Sequence, residues 1–366
     1  MRKVSVKHLK PGLKLGRTVY GADGEVLLSA GCLLTENYIK KLSAWGINFV
    51  FIDEGLLPDV NVEDVVSAET RQAAVSQIKK ILLETRESGR LVIDPGSIYA
   101  TVEGFTRELL AKKELMVNLI DLRLQDDYTF AHSVNVCILS LLTGITLGLD
   151  GTQLTLLGTG ALLHDVGKIM IPDSILNKPG PLAPEEFRAM MDHAQVGYEL
   201  ITSSGAVGEL PALIARQHHE NYDGSGYPLQ LKGTEIHPLA QAVAAADKFD
   251  ALTADRVYRK GFPPHEAYEM LAACGNSLIE AGIVKAFLHN IAAYPSGSLV
   301  ELTSGEVAVV VDTPKGYSLF PRVRVLTDPK HRLLAAPREV FLLEVDGLAV
   351  ARLLPASYYD KLIQKN

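Results

Sequence analysis

Apolar residues change their spacing twice along this chain, and each change marks a different kind of structure. Up to about Pro58 the apolar runs are short. Thr18-Val19-Tyr20 and Glu25-Val26-Leu27-Leu28 flank Gly21-Ala22-Asp23-Gly24. That pattern predicts a β-hairpin, because Asp-Gly supplies the positive φ that such turns need. Thr35 is placed to N-cap a short helix whose Ile39, Leu42 and Trp45 share a face, with Gly46 as its stop. Asn48–Ile52 predicts a further strand.

From about 60 to 290 the spacing becomes three and four. Val65, Ala68, Val75, Ile78 and Leu82 lie on one stripe, so 62–90 and 97–124 predict two helices, broken at Asp94-Pro95-Gly96. They suit a lever or dimer-forming pair, or internal packing. From 126 onward helices alternate with loops marked by Gly and Pro. Pro184 falls near N1 of one helix, behind Ala183, a weak N-cap. From 296 to 355 short β-rich runs return: Leu299–Leu302, Glu306–Val311, Val323–Leu326 and Val340–Leu343. Turns at Ser304-Gly305 and Thr313–Gly316 separate them, which predicts a small barrel or sandwich. The expected class is mainly α: a helical domain between a small N-terminal α+β module and a small C-terminal β module. The divisions are 1–58, 59–125 (linker or dimerisation), 126–295 and 296–366.

Composition narrows the function classes. Charged residues are 22% and hydrophobic ones 47% of 366, which suits two or three globular domains rather than disorder. The net charge of −7 gives no general attraction for a nucleic acid polymer, so phosphate binding has to be local. Cys32, Cys137 and Cys274 lack zinc spacing and fit buried thiols in a reducing cytoplasm. The opening MRKVSVKHLKPG has no signal-peptide core. Val136–Leu149, interrupted by Ser140, Thr143 and Gly144, is shorter than the ~20 residues of a membrane span and is expected as a core helix.

Chemistry concentrates in the helical part. ALLHDVGKI sets His164 beside Asp165, with Lys168 returning to the His164 face at i+4. His132 heads the apolar helix SVNVCILSLL, His193 follows, then HHENYDGSGYP with His218 and His219, then Asp247 after three alanines. A carboxylate behind an apolar run is costly to bury unless paired or bound to metal. Helical bundles build metal sites by pointing such ligands inward. His218 and His219 diverge by about 100° on a helix, so they meet one ion only where a helix ends. Asp165 can bridge two ions, each ion taking one oxygen. Imidazole and carboxylate donors suit iron or manganese, and also zinc, nickel or cobalt; magnesium is disfavoured by so many nitrogens. Two ions roughly 3.5–4 Å apart hold a hydroxide nucleophile and clamp a phosphodiester oxygen. Lys168 would neutralise phosphate charge or protonate the leaving oxygen. Arg256 and Arg259 suit a second phosphate or a solvated helix face.

HDVGK, HHENYDGSGYP and DKFDALTADRVYRK together resemble the HD-GYP family, a branch of the HD phosphohydrolases. The resemblance covers about 120–290, with YTFAHS, KPGPLAPEE and DHAQVG in family order. It implies an all-helical domain hydrolysing cyclic di-GMP to pGpG or GMP. Carried over, His132, His164, Asp165 and Asp247 look like the ligands of one metal. Asp165, His193, His218 and His219 look like those of the other. Lys168 matches the catalytic, phosphate-binding lysine, and Arg256 and Arg259 match basic positions near the substrate phosphates. Gly226-Tyr227-Pro228 is the name-giving loop, shaping the pocket edge, meeting a protein partner, or serving as a plain turn. Asp223 and Asp250 are expected behind the ligands, Asp223 steadying a histidine or the loop. Some members carry a glutamate for a third metal; Tyr128 stands there and Asp127 points about 100° away, so two metals are expected. Two alternatives stay open: another cyclic dinucleotide such as cyclic GMP-AMP, or a low-turnover cyclic di-GMP receptor.

Overall fold

The computed structural model describes residues 2–21, 25–47, 49–53, 64–112, 114, 116–117, 128–254, 260–355 and 358. They form two compact units: Met1–Val65 with Glu114–Tyr128 and Ile291–Asn366, and Val66–Lys113 with Thr129–Asn290.

In the first unit β1 (Arg2–Ser5) and β2 (Lys14–Leu15) both pair antiparallel with β5 (Phe49–Asp53). The strands β3 (Val19–Tyr20) and β4 (Val26–Leu28) pair as expected, with Val19 opposite Leu28; the predicted Asp-Gly turn lies outside the described residues. Thr35 caps α1 (Glu36–Ala44) by accepting from the Tyr38 amide, and Gly46, at φ +72°, ends it. Leu15, Leu42, Val50 and Ile52 are the centre of its core. Towards the C-terminus five antiparallel strands run in the order β10-β6-β7-β8-β9: β6 (Leu299–Leu302), β7 (Val307–Asp312), β8 (Arg322–Thr327), β9 (Leu333–Phe341) and β10 (Val350–Leu353). Among the described residues this is one open sheet and not the expected barrel or sandwich. The predicted strand 340–343 is displaced too: Leu342–Glu344 is a 3-10 turn, and β9 lies before it. β9 is an exposed edge strand containing Pro337, Arg338 and Glu339, so it lacks the alternation that reveals half-buried strands.

The second unit is helical: α2 (Ala68–Ser88), α3 (Pro95–Ala111), α4 (Tyr128–Thr146), α5 (Gly151–Leu163), α6 (Asp173–Leu176), α7 (Pro184–Met191), α8 (His193–Ser204), α9 (Glu209–Gln217), α10 (Pro238–Thr253), α11 (Pro264–Ala272) and α12 (Ala281–Leu288). The helices break at Asp94 as expected, but Asp94 caps α3 and Pro95 stands at N1, so the helix starts two residues before the expected 97. α3 stops at Ala111, short of the expected 124; beyond it Val117 bridges Ile291 in the first unit. Asp150 and Gln153 form a capping box at α5. Ala183 contributes no side chain to the start of α7; Glu186 accepts from its amide instead, at 2.7 Å. Ala240, Ala242, Val243, Ala244, Ala245 and Ala246 are all buried, so the first half of α10 is packed on every side, and Asp247 and Asp250 follow on the same buried helix. No described helix is long and apolar enough to cross a membrane.

Candidate metal centre

Helix ends supply most of this site. The last carbonyls of a helix have no intrahelical partner. His164, the C-cap residue of α5, donates Nδ1–H to the Ala161 carbonyl at 2.7 Å. His193, at the junction of α7 and α8, donates to Met190 at 2.6 Å, and His218, C-cap of α9, to Ala215 at 2.8 Å. Each imidazole thus bonds a helix-end carbonyl three residues back. That bond fixes the tautomer and leaves Nε2 as the nitrogen with a lone pair.

Those nitrogens surround Asp165. Its Oδ1 lies 3.4 Å from His193 Nε2 and 3.7 Å from His218 Nε2. Its Oδ2 lies 3.3 Å from His164 Nε2 and 3.6 Å from His132 Nε2. The other side of His132, on α4, meets Asp250: Nδ1 is 2.6 Å from Oδ2, so Nε2 faces Asp247 Oδ1 at 3.1 Å. His219 follows His218 past the helix end, with Nδ1 3.9 Å from Asp247 Oδ2. The donor atoms sort into two groups, His132–His164–Asp247 and Asp165–His193–His218–His219, each within 4.8 Å. All seven residues singled out in the sequence are therefore in one cluster.

The donor set fits a divalent cation on its own chemistry. His164 Nε2 and Asp165 Oδ1 are buried without a hydrogen-bond partner, an expensive arrangement unless an ion completes it. Burial would raise the Asp165 carboxyl, but His164 and Lys168 outweigh it and hold it well below the usual carboxylate range. Asp247, opposed in the same way by burial, is held low by His132 and His219. His193 is pushed down to about 3, by burial first and then by Lys168. His218 and His219 are lowered chiefly by burial as well. Neutral imidazoles and ionised carboxylates are the forms that ligate metal. His132 differs: burial lowers it, but Asp247 and Asp250 prevail and raise it to about 9.

Two close approaches hold the cluster. Val166–Met170 is a 3-10 turn and not a continuation of α5, so Lys168 reaches the site at i+3 from Asp165 (Nζ to Oδ2, 2.5 Å) rather than at i+4 from His164. The turn lies against α8 so tightly that a Cβ on Gly167 would sit 2.0 Å from the His193 carbonyl oxygen. A Cβ on Gly226 would lie 2.2 Å from the Asn221 nitrogen, which brings the Gly226-Tyr227-Pro228 loop back onto the end of α9. Tyr227 then stacks 4.7 Å from the His219 ring, and its amide donates to the His219 carbonyl. Asp223 steadies the loop alone, accepting from the Ser225 amide and hydroxyl.

Glu220 was not singled out by sequence. Fully buried, it accepts from the amides of Leu229 and Leu231 and closes the loop. Asn135 was missed too; it donates to Asp250 Oδ1 at 3.2 Å, and its i+3 spacing from His132 was the available signal. Arg256, Arg259 and Asp127 lie outside the described residues, as does the Tyr128 side chain.

Residues 114–281 match the HD domain family. The chain is 34% identical over 269 residues to a cyclic di-GMP phosphodiesterase of Pseudomonas aeruginosa, covering 72% of this chain and 65% of that one. The chain belongs to the HD-GYP family. This HD-GYP chain is also 38% identical to a cyclic di-GMP phosphodiesterase of Thermotoga maritima, covering 52% of this chain and 50% of the relative. It is 35% identical to a 3'3'-cGAMP-specific phosphodiesterase of Vibrio cholerae, covering 49% and 34%. It spans less than two thirds of the length of each of the three. The HD domain and its two His/Asp groups make this a site for divalent metal.

Proposed function

We propose that this chain is a metal-dependent phosphodiesterase that hydrolyses cyclic di-GMP to pGpG, GMP or both. One observation carries the reading: each oxygen of Asp165 faces its own pair of imidazole nitrogens, the arrangement of a carboxylate shared by two ions. His132, His164, Asp165 and Asp247 would hold one ion; Asp165, His193, His218 and His219 the other. Iron or manganese is proposed for them, and zinc, nickel or cobalt suits the same donors. When bound, such ions lower the pKa of water and polarise a phosphoryl oxygen.

The chain's own residues do the rest. Lys168, a quarter exposed, keeps its ammonium on the Asp165 side of the site. It meets a substrate phosphate there and hands a proton to the leaving oxygen. Asp250 and the three backbone carbonyls hold the imidazoles in the ligating tautomer. Tyr227, raised above its usual pKa by burial and by Asp165 and Asp247, stays a neutral phenol at the pocket edge. Arg256 and Arg259 are proposed for the second phosphate, and the Gly226–Pro228 loop for a partner protein. Segments 1–58 and 296–366 act as accessory modules, and 59–125 as a linker or dimer-forming region. The free thiols suit a cytoplasmic setting.

Anaerobically purified, metal-loaded protein incubated with cyclic di-GMP tests this by product analysis; absence of pGpG and GMP overturns it. The V. cholerae relative supports a second reading, 3'3'-cGAMP as substrate. The ratio of kcat/KM for the two nucleotides decides between them, and binding without turnover would leave a receptor.

A further inference from the structure

Behind His132 runs a hydrogen-bonded line of three side chains that ends on α2, outside the 114–281 segment. Arg71 Nη1 donates to Asn135 Oδ1 at 2.5 Å. Asn135 Nδ2 donates to Asp250 Oδ1 at 3.2 Å, and Asp250 Oδ2 meets His132 Nδ1 at 2.6 Å. The line has a direction. A guanidinium only donates, so the amide of Asn135 must turn its oxygen to Arg71 and its NH2 to Asp250. An ionised carboxylate only accepts, so His132 must place its proton on Nδ1. In the neutral ring, the form that ligates metal, Nε2 then turns its lone pair toward the Asp247 and Asp165 side.

The origin of the line is held in place. Ser67 caps α2, and Glu108 on α3 accepts from the Ser67 amide at 2.6 Å and from the Thr70 hydroxyl. Arg71 sits one turn into this clamped end, its amide bonded to the Ser67 carbonyl. His164, His193 and His218, by contrast, lean on backbone carbonyls. Among these four imidazoles, each hydrogen-bonded through Nδ1, His132 is the one held by a charged side chain.

Resting on the two-ion reading above, we infer that Arg71 is a positioning residue: through Asn135 and Asp250 it sets His132, and so the affinity for one ion of the pair. Its removal weakens the His132-side ion and spares the other.

The test is a titration of chelator-stripped full-length protein with Mn2+, with free Mn2+ read by its electron paramagnetic resonance. Wild-type protein takes up two ions. Arg71→Ala should weaken one of them about tenfold, the lower end for loss of an outer-shell partner, and leave the second Kd unchanged. Asn135→Leu should do the same, and the double variant should be no worse than either single one, since both break one line. Asp250→Asn, next to the ligand, should cost more, and Arg71→Lys should restore part of the loss. Unchanged affinities in both Arg71→Ala and Asn135→Leu overturn the inference, as does an equal loss at both ions or full additivity in the double variant. Wild-type protein that binds no Mn2+ overturns the two-ion reading itself, a result distinct from any difference between variants.

Discussion

Replacing Asp165 by asparagine tests the shared-carboxylate arrangement without changing side-chain size. Asparagine offers one neutral oxygen and one NH2 donor, so one pair of imidazoles loses its oxygen altogether and the other loses the negative charge. The size of the effect follows from linkage. An ion at a hundred times its Kd stabilises the native state by about 2.7 kcal/mol. The unit carrying the site comprises Val66–Lys113 and Thr129–Asn290. For a domain of about 150–250 residues, 1 kcal/mol moves Tm by about 2–4 °C. Each ion should therefore raise Tm by about 5–11 °C, and a pair by about 10–20 °C. Calorimetry of chelated and Mn2+-loaded protein reads this directly. Asp165→Asn should keep less than half of the wild-type rise, because both ions lose the same ligand. His193→Ala, which touches only one donor group, should keep about half. An Asp165→Asn protein with the full wild-type rise would refute the bridging role.

Lys168→Ala should slow hydrolysis about 10²-fold or more while metal content, measured by mass spectrometry, stays at the wild-type value. Glu220→Ala removes the carboxylate that accepts from the amides of Leu229 and Leu231, and urea unfolding should show a loss of about 1.5–3 kcal/mol. Gly167→Ala drives a methyl into the His193 carbonyl; a cost of about 1–3 kcal/mol and weakened Mn2+ binding are expected from the same unfolding and titration measurements. In metal-free protein His132 titrates at about 9 when folded against 6.5 unfolded. Its stabilisation is therefore complete below pH 6.5 and fades as pH rises towards 9, by ~3 kcal/mol at most. His132→Gln should remove that slope from the stability–pH profile, and a wild-type profile with no such fall between pH 6.5 and 9 would contradict it.

Much of this architecture is visible in residue spacing because the relevant forces are local. Thr35, Gly46, Asp94 and Pro95 announce helix ends through backbone geometry, and the structure places them there. Asp165 and Asp247 stand out because an acid behind an apolar run demands a partner. What spacing does not carry is contact between distant segments. Arg71 and Asn135 are 64 positions apart, and nothing in either neighbourhood points to the other. The end of α3 was overrun because apolar periodicity continues past Ala111, while Val117 answers to a strand partner at Ile291. β9 was misplaced because an edge strand, wet on its open side, needs no alternation. The 3-10 turn at 166–170 hides for another reason: it depends on Gly167 meeting α8, and a lone glycine does not name its neighbour.

The three imidazoles that lean on main-chain oxygens have a bearing on how this centre tolerates mutational drift. A carbonyl is present whatever residue occupies 161, 190 or 215, so substitutions there leave the ring's anchor intact. Among the four rings held through Nδ1, His132 depends on a particular neighbour, Asp250, for the same service, while His219 leans on the Tyr227 ring. Random replacement across the outer layer should accordingly spare the three helix-end rings and strike harder at His132, making that corner more fragile than theirs in any library of variants.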